Sequence, residues 1–337
     1  MFKLYKILFF NSMLLGTLIS ISAYSWFNMW IGLEINLLSI LPLLKSNKNT
    51  YPAEASLKYF ITQALASTII LFAVILSLIS SEYIPNNSDY WLMMILNSAL
   101  LTKLGAAPFH TWFPEVMEGL NWMNNLILLT WQKLAPMILI MYNLKMMWFL
   151  MFIIITSSLI GGILGLNQTS LRKIMAYSSI NHISWMLASM MNFKLIWFSY
   201  FIIYSMISLN IIFIFYKMNI FTLNQLFYSL NSNKLVKLFF IMNFLSLGGL
   251  PPFLGFLPKW IVINNLILSQ MYVLSLILII STLITLYFYI RLTFSSLTIM
   301  MTENLVKFSK MSNFLMLFLN SLTLLSLFLC TSIFNIL

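Results

Sequence analysis

Gly248-Gly249-Leu250-Pro251-Pro252-Phe253-Leu254-Gly255-Phe256-Leu257-Pro258-Lys259 interrupts an apolar run over residues 235–267. A run of that length can cross the hydrocarbon of a bilayer as a helix. Proline removes a backbone donor and clashes with the preceding turn, so this helix is expected to break in mid-membrane. Lys259 follows directly on Pro258. A lysine at the centre of a membrane helix costs roughly 2.5–3.5 kcal/mol on insertion scales. The unpaired carbonyls and amides of a break recruit water that can solvate such a charge. A second stretch has the same form: Lys103-Leu104-Gly105-Ala106-Ala107-Pro108, then Pro114, inside the run over 90–119.

The rest of the chain fits a membrane reading. Of 337 residues, 61% are hydrophobic and 7% charged, and the mean hydropathy is +0.95. The period-2 alternation of a membrane barrel is missing, which leaves a polytopic all-α bundle. The net charge of +11 does not indicate nucleic acid, because the basic residues are scattered through short connections. Cys330 is the single cysteine, so neither an internal disulfide nor a cysteine-ligated iron–sulfur cluster is expected. No GxGxxG or Walker loop and no metal-ligand cluster occurs, so the chain is expected to hold no cofactor or metal and to carry no redox chemistry itself.

Eleven spans are predicted, over 4–24, 26–44, 54–80, 90–119, 122–143, 147–166, 173–191, 195–217, 235–267, 272–296 and 311–334. The organisation is a single membrane domain over 1–337, with a first five-helix half over 4–143, a second over 147–296 and an extra C-terminal helix over 311–334. Each half has its broken helix in fourth place. Five is odd, so the halves would form an inverted repeat of the kind found in transporters. With the spans so drawn, twelve lysines and arginines fall on the N-terminal side and two, Lys145 and Lys194, on the other. The positive-inside rule then puts the N-terminus on the cytoplasmic or matrix side.

Intramembrane charge marks a functional site by default. The candidates are Lys103 and Lys259 at the breaks, Lys133 in Thr130-Trp131-Gln132-Lys133-Leu134-Ala135-Pro136, and Glu34 in the second span. A carboxylate placed like Glu34 calls for a basic partner from another helix. His182 can relay protons near neutral pH, or serve as a hydrogen-bonded packing residue. Lys58, a few residues into its helix, can snorkel to the surface, and Glu115 and Glu118 read as surface groups. The plainer alternative is that these lysines merely cap the broken helices or pair structurally.

Leu104-Gly105-Ala106-Ala107-Pro108-Phe109-His110, Leu166-Asn167-Gln168-Thr169-Ser170-Leu171-Arg172-Lys173 and Gly248-Gly249-Leu250-Pro251-Pro252-Phe253 resemble the chain 2 family of mitochondrial NADH–ubiquinone oxidoreductase, respiratory complex I, in an insect-like form. Gly32-Leu33-Glu34 and Lys259-Trp260 strengthen the resemblance, which covers the whole chain. The abundance of Lys over Arg, with Ile, Phe, Met and Asn, fits an AT-rich mitochondrial gene. The resemblance implies a proton-translocating, antiporter-like subunit of the membrane arm, with Glu34, Lys103, Lys133 and Lys259 in a midplane chain of charge. It implies NADH, FMN, iron–sulfur clusters and ubiquinone elsewhere in the parent complex. Other membrane-arm subunits and lipids, cardiolipin among them, are the expected partners. The expected location is the mitochondrial inner membrane, N-terminus in the matrix and C-terminus in the intermembrane space. A stand-alone cation/proton antiporter and a non-pumping structural membrane-arm subunit remain open alternatives.

Overall fold

The computed structural model describes residues 4–45, 50–83, 88–144, 146–230, 234–251 and 253–298, with 318, 320 and 321. Among these residues the fold is helical, apart from one bridge between Ser170 and Thr222. The helices are α1 Leu4–Ser22, α2 Trp26–Leu44, α3 Tyr51–Tyr83, α4 Ser88–Leu104, α5 Trp112–Gly119, α6 Trp122–Leu129, α7 Trp131–Tyr142, α8 Met147–Gly165, α9 Leu171–Met190, α10 Lys194–Met218, α11 Leu223–Leu230, α12 Lys234–Gly248, α13 Phe256–Leu268 and α14 Tyr272–Thr298. The first ten predicted spans each contain helix. The eleventh, over 311–334, lies outside the described residues except for Phe318, Asn320 and Ser321. Seven of the described spans are long and apolar enough to cross a membrane. The stretches that fall short (α4, α5, α9, α12 and α13) include those bearing Lys103, His182 and Lys259.

Two features differ from the sequence reading. A short helix, α11, occupies the connection expected over 218–234, because Leu226 and Leu230 give it one buried apolar edge. The fifth span is interrupted at Thr130 between α6 and α7. Pro136 lies further along α7, where it withholds the amide that would pair with the Gln132 carbonyl.

The chain divides into two compact units, Met1–Ile153 and Ile154–Leu337, the boundary falling inside α8. In the first unit α1 and α2 cross at Gly16 and Gly32. A Cβ on Gly32 would stand 2.5 Å from the Ser20 nitrogen and 2.8 Å from the Gly16 oxygen, so only glycine allows this approach. Trp30 Nε1 donates to the Ser67 carbonyl and fastens α2 to α3. In the second unit α9 is the central helix, with seventeen of its twenty residues buried. Its serines turn inward and donate to carbonyls three residues back, which satisfies the hydroxyls without a partner helix. Large apolar side chains such as Leu65, Phe72, Leu276 and Leu283 point outward, as lipid contact requires.

Candidate functional site

The two proline–glycine breaks are built alike. In α4 the Gly105 N–H bonds the carbonyls of Leu101 and Thr102, and the Ala106 N–H bonds Leu101. In α12 the Gly249 N–H bonds Ser246 and the Leu250 N–H bonds Leu245. Both are Schellman closures around a glycine at positive φ, 74° at Gly105 and 76° at Gly249.

The remaining terminal carbonyls are met differently. At the end of α4, Trp112 Nε1 donates to Thr102 at 3.0 Å and Gln63 Nε2 donates to the Lys103 carbonyl at 3.3 Å. Neutral side chains therefore cap this break. At the end of α12, Lys259 Nζ donates to Leu247 at 3.2 Å and to Gly248 at 2.9 Å. With the two loop amides, all four last carbonyls of α12 are then taken. Lys259 is thus a cap, as the plainer sequence reading allowed. A neutral amine keeps two N–H groups and a cap of two bonds needs no more, so the site can hold either protonation state.

Lys103 is 7% exposed and lines a small cavity with Asn36, Tyr59, Gln63 and Gln132. The space, about 10 Å³, has room for one water molecule. Asn36 and Gln132 are paired reciprocally: Asn36 Nδ2 donates to Gln132 Oε1 at 3.1 Å, and Gln132 Nε2 donates to Asn36 Oδ1 at 2.8 Å. Tyr59 OH also donates to Gln132 Oε1, at 3.3 Å. This network ties α2 and α3 to α7, beside both Glu34 and Lys133, and the sequence reading gave none of its members a role. Polar residues flanking a buried charge in an apolar span were the available signal.

Lys133 is 2% exposed, and its ammonium lies 6.0 Å from the centroid of the Phe113 ring. Phe113 packs against Gly105, so the first break and Lys133 share a neighbour. Glu34 is half-buried on α2. Among the described residues it forms no ion pair with Lys103 within 4.0 Å. Lys58 stands apart from this group. It is 46% exposed and pairs with Glu54 at 3.3 Å and Glu115 at 2.9 Å.

In the second unit His182 Nδ1 meets Tyr200 OH at 2.9 Å, and its ring lies 5.0 Å from that of Tyr204, tilted by 43°. These three residues line a cavity that also reaches Leu247, whose carbonyl holds Lys259. The Lys259 ammonium lies 5.9 Å from the centroid of the Trp185 ring on α9. The structure brings His182 and the Lys259 break to one locality, and Lys103 and Lys133 to another.

The NADH:quinone oxidoreductase/Mrp antiporter transmembrane family matches residues 23–285. NADH-ubiquinone oxidoreductase chain 2 of Aedes aegypti is 49% identical over 340 residues, 99% of each chain. That of Locusta migratoria is 45% identical over 336 residues, 98% of this chain and 97% of the relative. Among solved structures, a chain of respiratory complex I from Thermus thermophilus with bound aureothin superposes with a TM-score of 0.87 at 22% identity. It covers 97% of this chain and 78% of that one. A chain of the Mrp complex from Dietzia sp. gives 0.72 at 16% identity, over 83% of this chain and 58% of that one. The structural likenesses bear on the fold.

Proposed function

The chain belongs to the NADH-ubiquinone oxidoreductase chain 2 family, within the NADH:quinone oxidoreductase/Mrp antiporter transmembrane family, and from that premise we propose that it is a proton-translocating membrane-arm subunit of NADH:ubiquinone oxidoreductase. The observation that carries the reading is the position of three buried lysines. Lys103, Lys133 and Lys259 each lie within four residues of a helix interruption. Helix-end carbonyls at Lys259 and space for a water at Lys103 offset the desolvation of an ammonium there.

In this reading Lys103 and Lys259 store protons, Lys133 passes them on, Glu34 biases Lys103 by its charge, and His182 relays beside Lys259. The chain takes part in the enzyme as a subunit of the proton-translocating reductase. NADH, FMN, the iron–sulfur clusters and ubiquinone act in other subunits of the parent complex. Neighbouring membrane-arm subunits and lipids such as cardiolipin are its partners, and nucleic acid is not. The location is the mitochondrial inner membrane, with the N-terminus in the matrix and the C-terminus in the intermembrane space, as the twelve-to-two asymmetry of basic residues supports. Two five-helix halves, 4–143 and 147–296, with a last helix over 311–334, belong to the same proposal. One glycine–proline break in each half supports the division.

Proton uptake per NADH in proteoliposomes of the whole complex tests the reading. Lys103→Met, in complex assembled normally on a native gel, is expected to lower it. Unchanged uptake would remove Lys103 from the pathway.

A further inference from the structure

The Asn36–Gln132–Tyr59 network is costly to keep in an apolar bundle unless it serves the lysine beside it. Gln132 Oε1 accepts from both Asn36 and Tyr59, so its two lone pairs are used. Acceptor capacity is left on Asn36 Oδ1, which takes one donor from Gln132, and on the Tyr59 oxygen, which donates its own hydrogen. Lys103 lines the same space, and its ammonium is a donor only. The space between measures about 10 Å³, enough for one water with two to four polar partners. Tyr59 is held in place from its other side. Its ring packs edge-on against Trp112 at 5.8 Å, and Trp112 in turn caps α4 one residue from Lys103.

Resting on the proton-pathway reading, we propose that Tyr59 and the Asn36–Gln132 amide pair hold a single water against the Lys103 ammonium and act as positioning residues for its proton exchange. The water accepts a hydrogen bond from the ammonium and donates to Asn36 Oδ1 and the Tyr59 oxygen. The water and the two oxygens behind it orient the ammonium N–H bonds and offset the cost of the charge, so that Lys103 can hold a proton and release it to an acceptor outside this cavity, and the neutral amine keeps its hydrogen bond to the water. Tyr59 and Gln132 never carry the proton, since the amide has no titrating group and the phenol is already donating.

The test uses the intact complex in proteoliposomes, with Tyr59→Phe, Gln132→Leu and Lys103→Met compared for the rate of proton uptake and for protons taken up per NADH. A map of the wild-type complex with waters resolved accompanies it. A water peak within hydrogen-bond reach of Lys103 Nζ and Tyr59 OH is expected. Tyr59→Phe is expected to slow proton uptake about fivefold, the equivalent of one hydrogen bond at roughly 1 kcal/mol, and Gln132→Leu to remove the peak. Where Gln132→Leu does not assemble, Tyr59→Phe decides, since it removes one oxygen and no packing. Normal uptake in Tyr59→Phe with impaired Lys103→Met overturns this inference and leaves the pathway standing. Normal uptake in both removes Lys103 from the pathway and overturns this inference with it. An absent peak in the wild-type map overturns the inference by itself.

Discussion

The ammonium of Lys259, on the first turn of α13, donates to the carbonyl oxygen of Gly248 at the end of α12, 2.9 Å away. A charge carried by the second half of the broken helix thus closes the first half. The ammonium thereby meets the negative end of the α12 dipole. Lys103 occupies the last turn of α4 and meets a similar dipole from within its own helix.

Gly249 is the residue that leaves room for this contact. A Cβ there would meet Lys259 Cδ at 2.8 Å and Nζ at 2.9 Å, whereas on Gly105 it would meet Phe113 Cβ at 3.1 Å. Both glycines have positive φ, so alanine is expected to cost roughly 1–2 kcal/mol of backbone strain at either. Thermal stability of the assembled complex should fall similarly in both variants. Proton uptake should fall further in Gly249→Ala, because the lysine is displaced as well.

Glu34 and Lys103 form no ion pair within 4.0 Å among the described residues, so coupling between them acts at longer range. Glu34→Gln and Lys103→Met are therefore expected to be non-additive in proton uptake, with a coupling of roughly 1 kcal/mol. Strict additivity in the double-mutant cycle would separate the two residues.

Tyr200 fixes the orientation of the His182 ring. Tyr200→Phe leaves a buried ring nitrogen short of its hydroxyl partner, a cost of roughly 1–3 kcal/mol. Slower proton uptake is expected, with a larger loss in His182→Ala. Normal uptake by an assembled His182→Ala complex would make the histidine a packing residue.

Lys58 provides the contrast. Its partners Glu54 and Glu115 are themselves more than half exposed, and exposed ion pairs contribute little. Lys58→Met is expected to leave both assembly and proton uptake unchanged, measured on the same preparation.

The sequence made helix in each of the first ten predicted stretches, and both proline–glycine breaks, legible, because apolar length and backbone-breaking residues are written along one dimension. The buried lysines were legible for the same reason, each being conspicuous in an apolar run. The partners were not. Asn36 and Gln132 are 96 residues apart and neutral, and only the folded bundle brings their amides face to face. The interruption at Thr130 was also hidden, since Pro136 alone did not reveal that the helix would part six residues before it. Nor could sequence distinguish how the two breaks are capped. Trp112 and Gln63 serve one and a lysine the other, and that choice depends on which side chains lie across from the last turn.

If the lysines at the breaks carry protons, Lys259 is the sharpest case, because it has an alternative occupation as a cap. The measurement is proton uptake per NADH by reconstituted complex bearing Lys259→Met, with assembly verified on a native gel. A proton-carrying lysine predicts lowered uptake in fully assembled complex, with coupled NADH oxidation slowed in step. Normal uptake in that complex would contradict the account and leave Lys259 as the cap of α12.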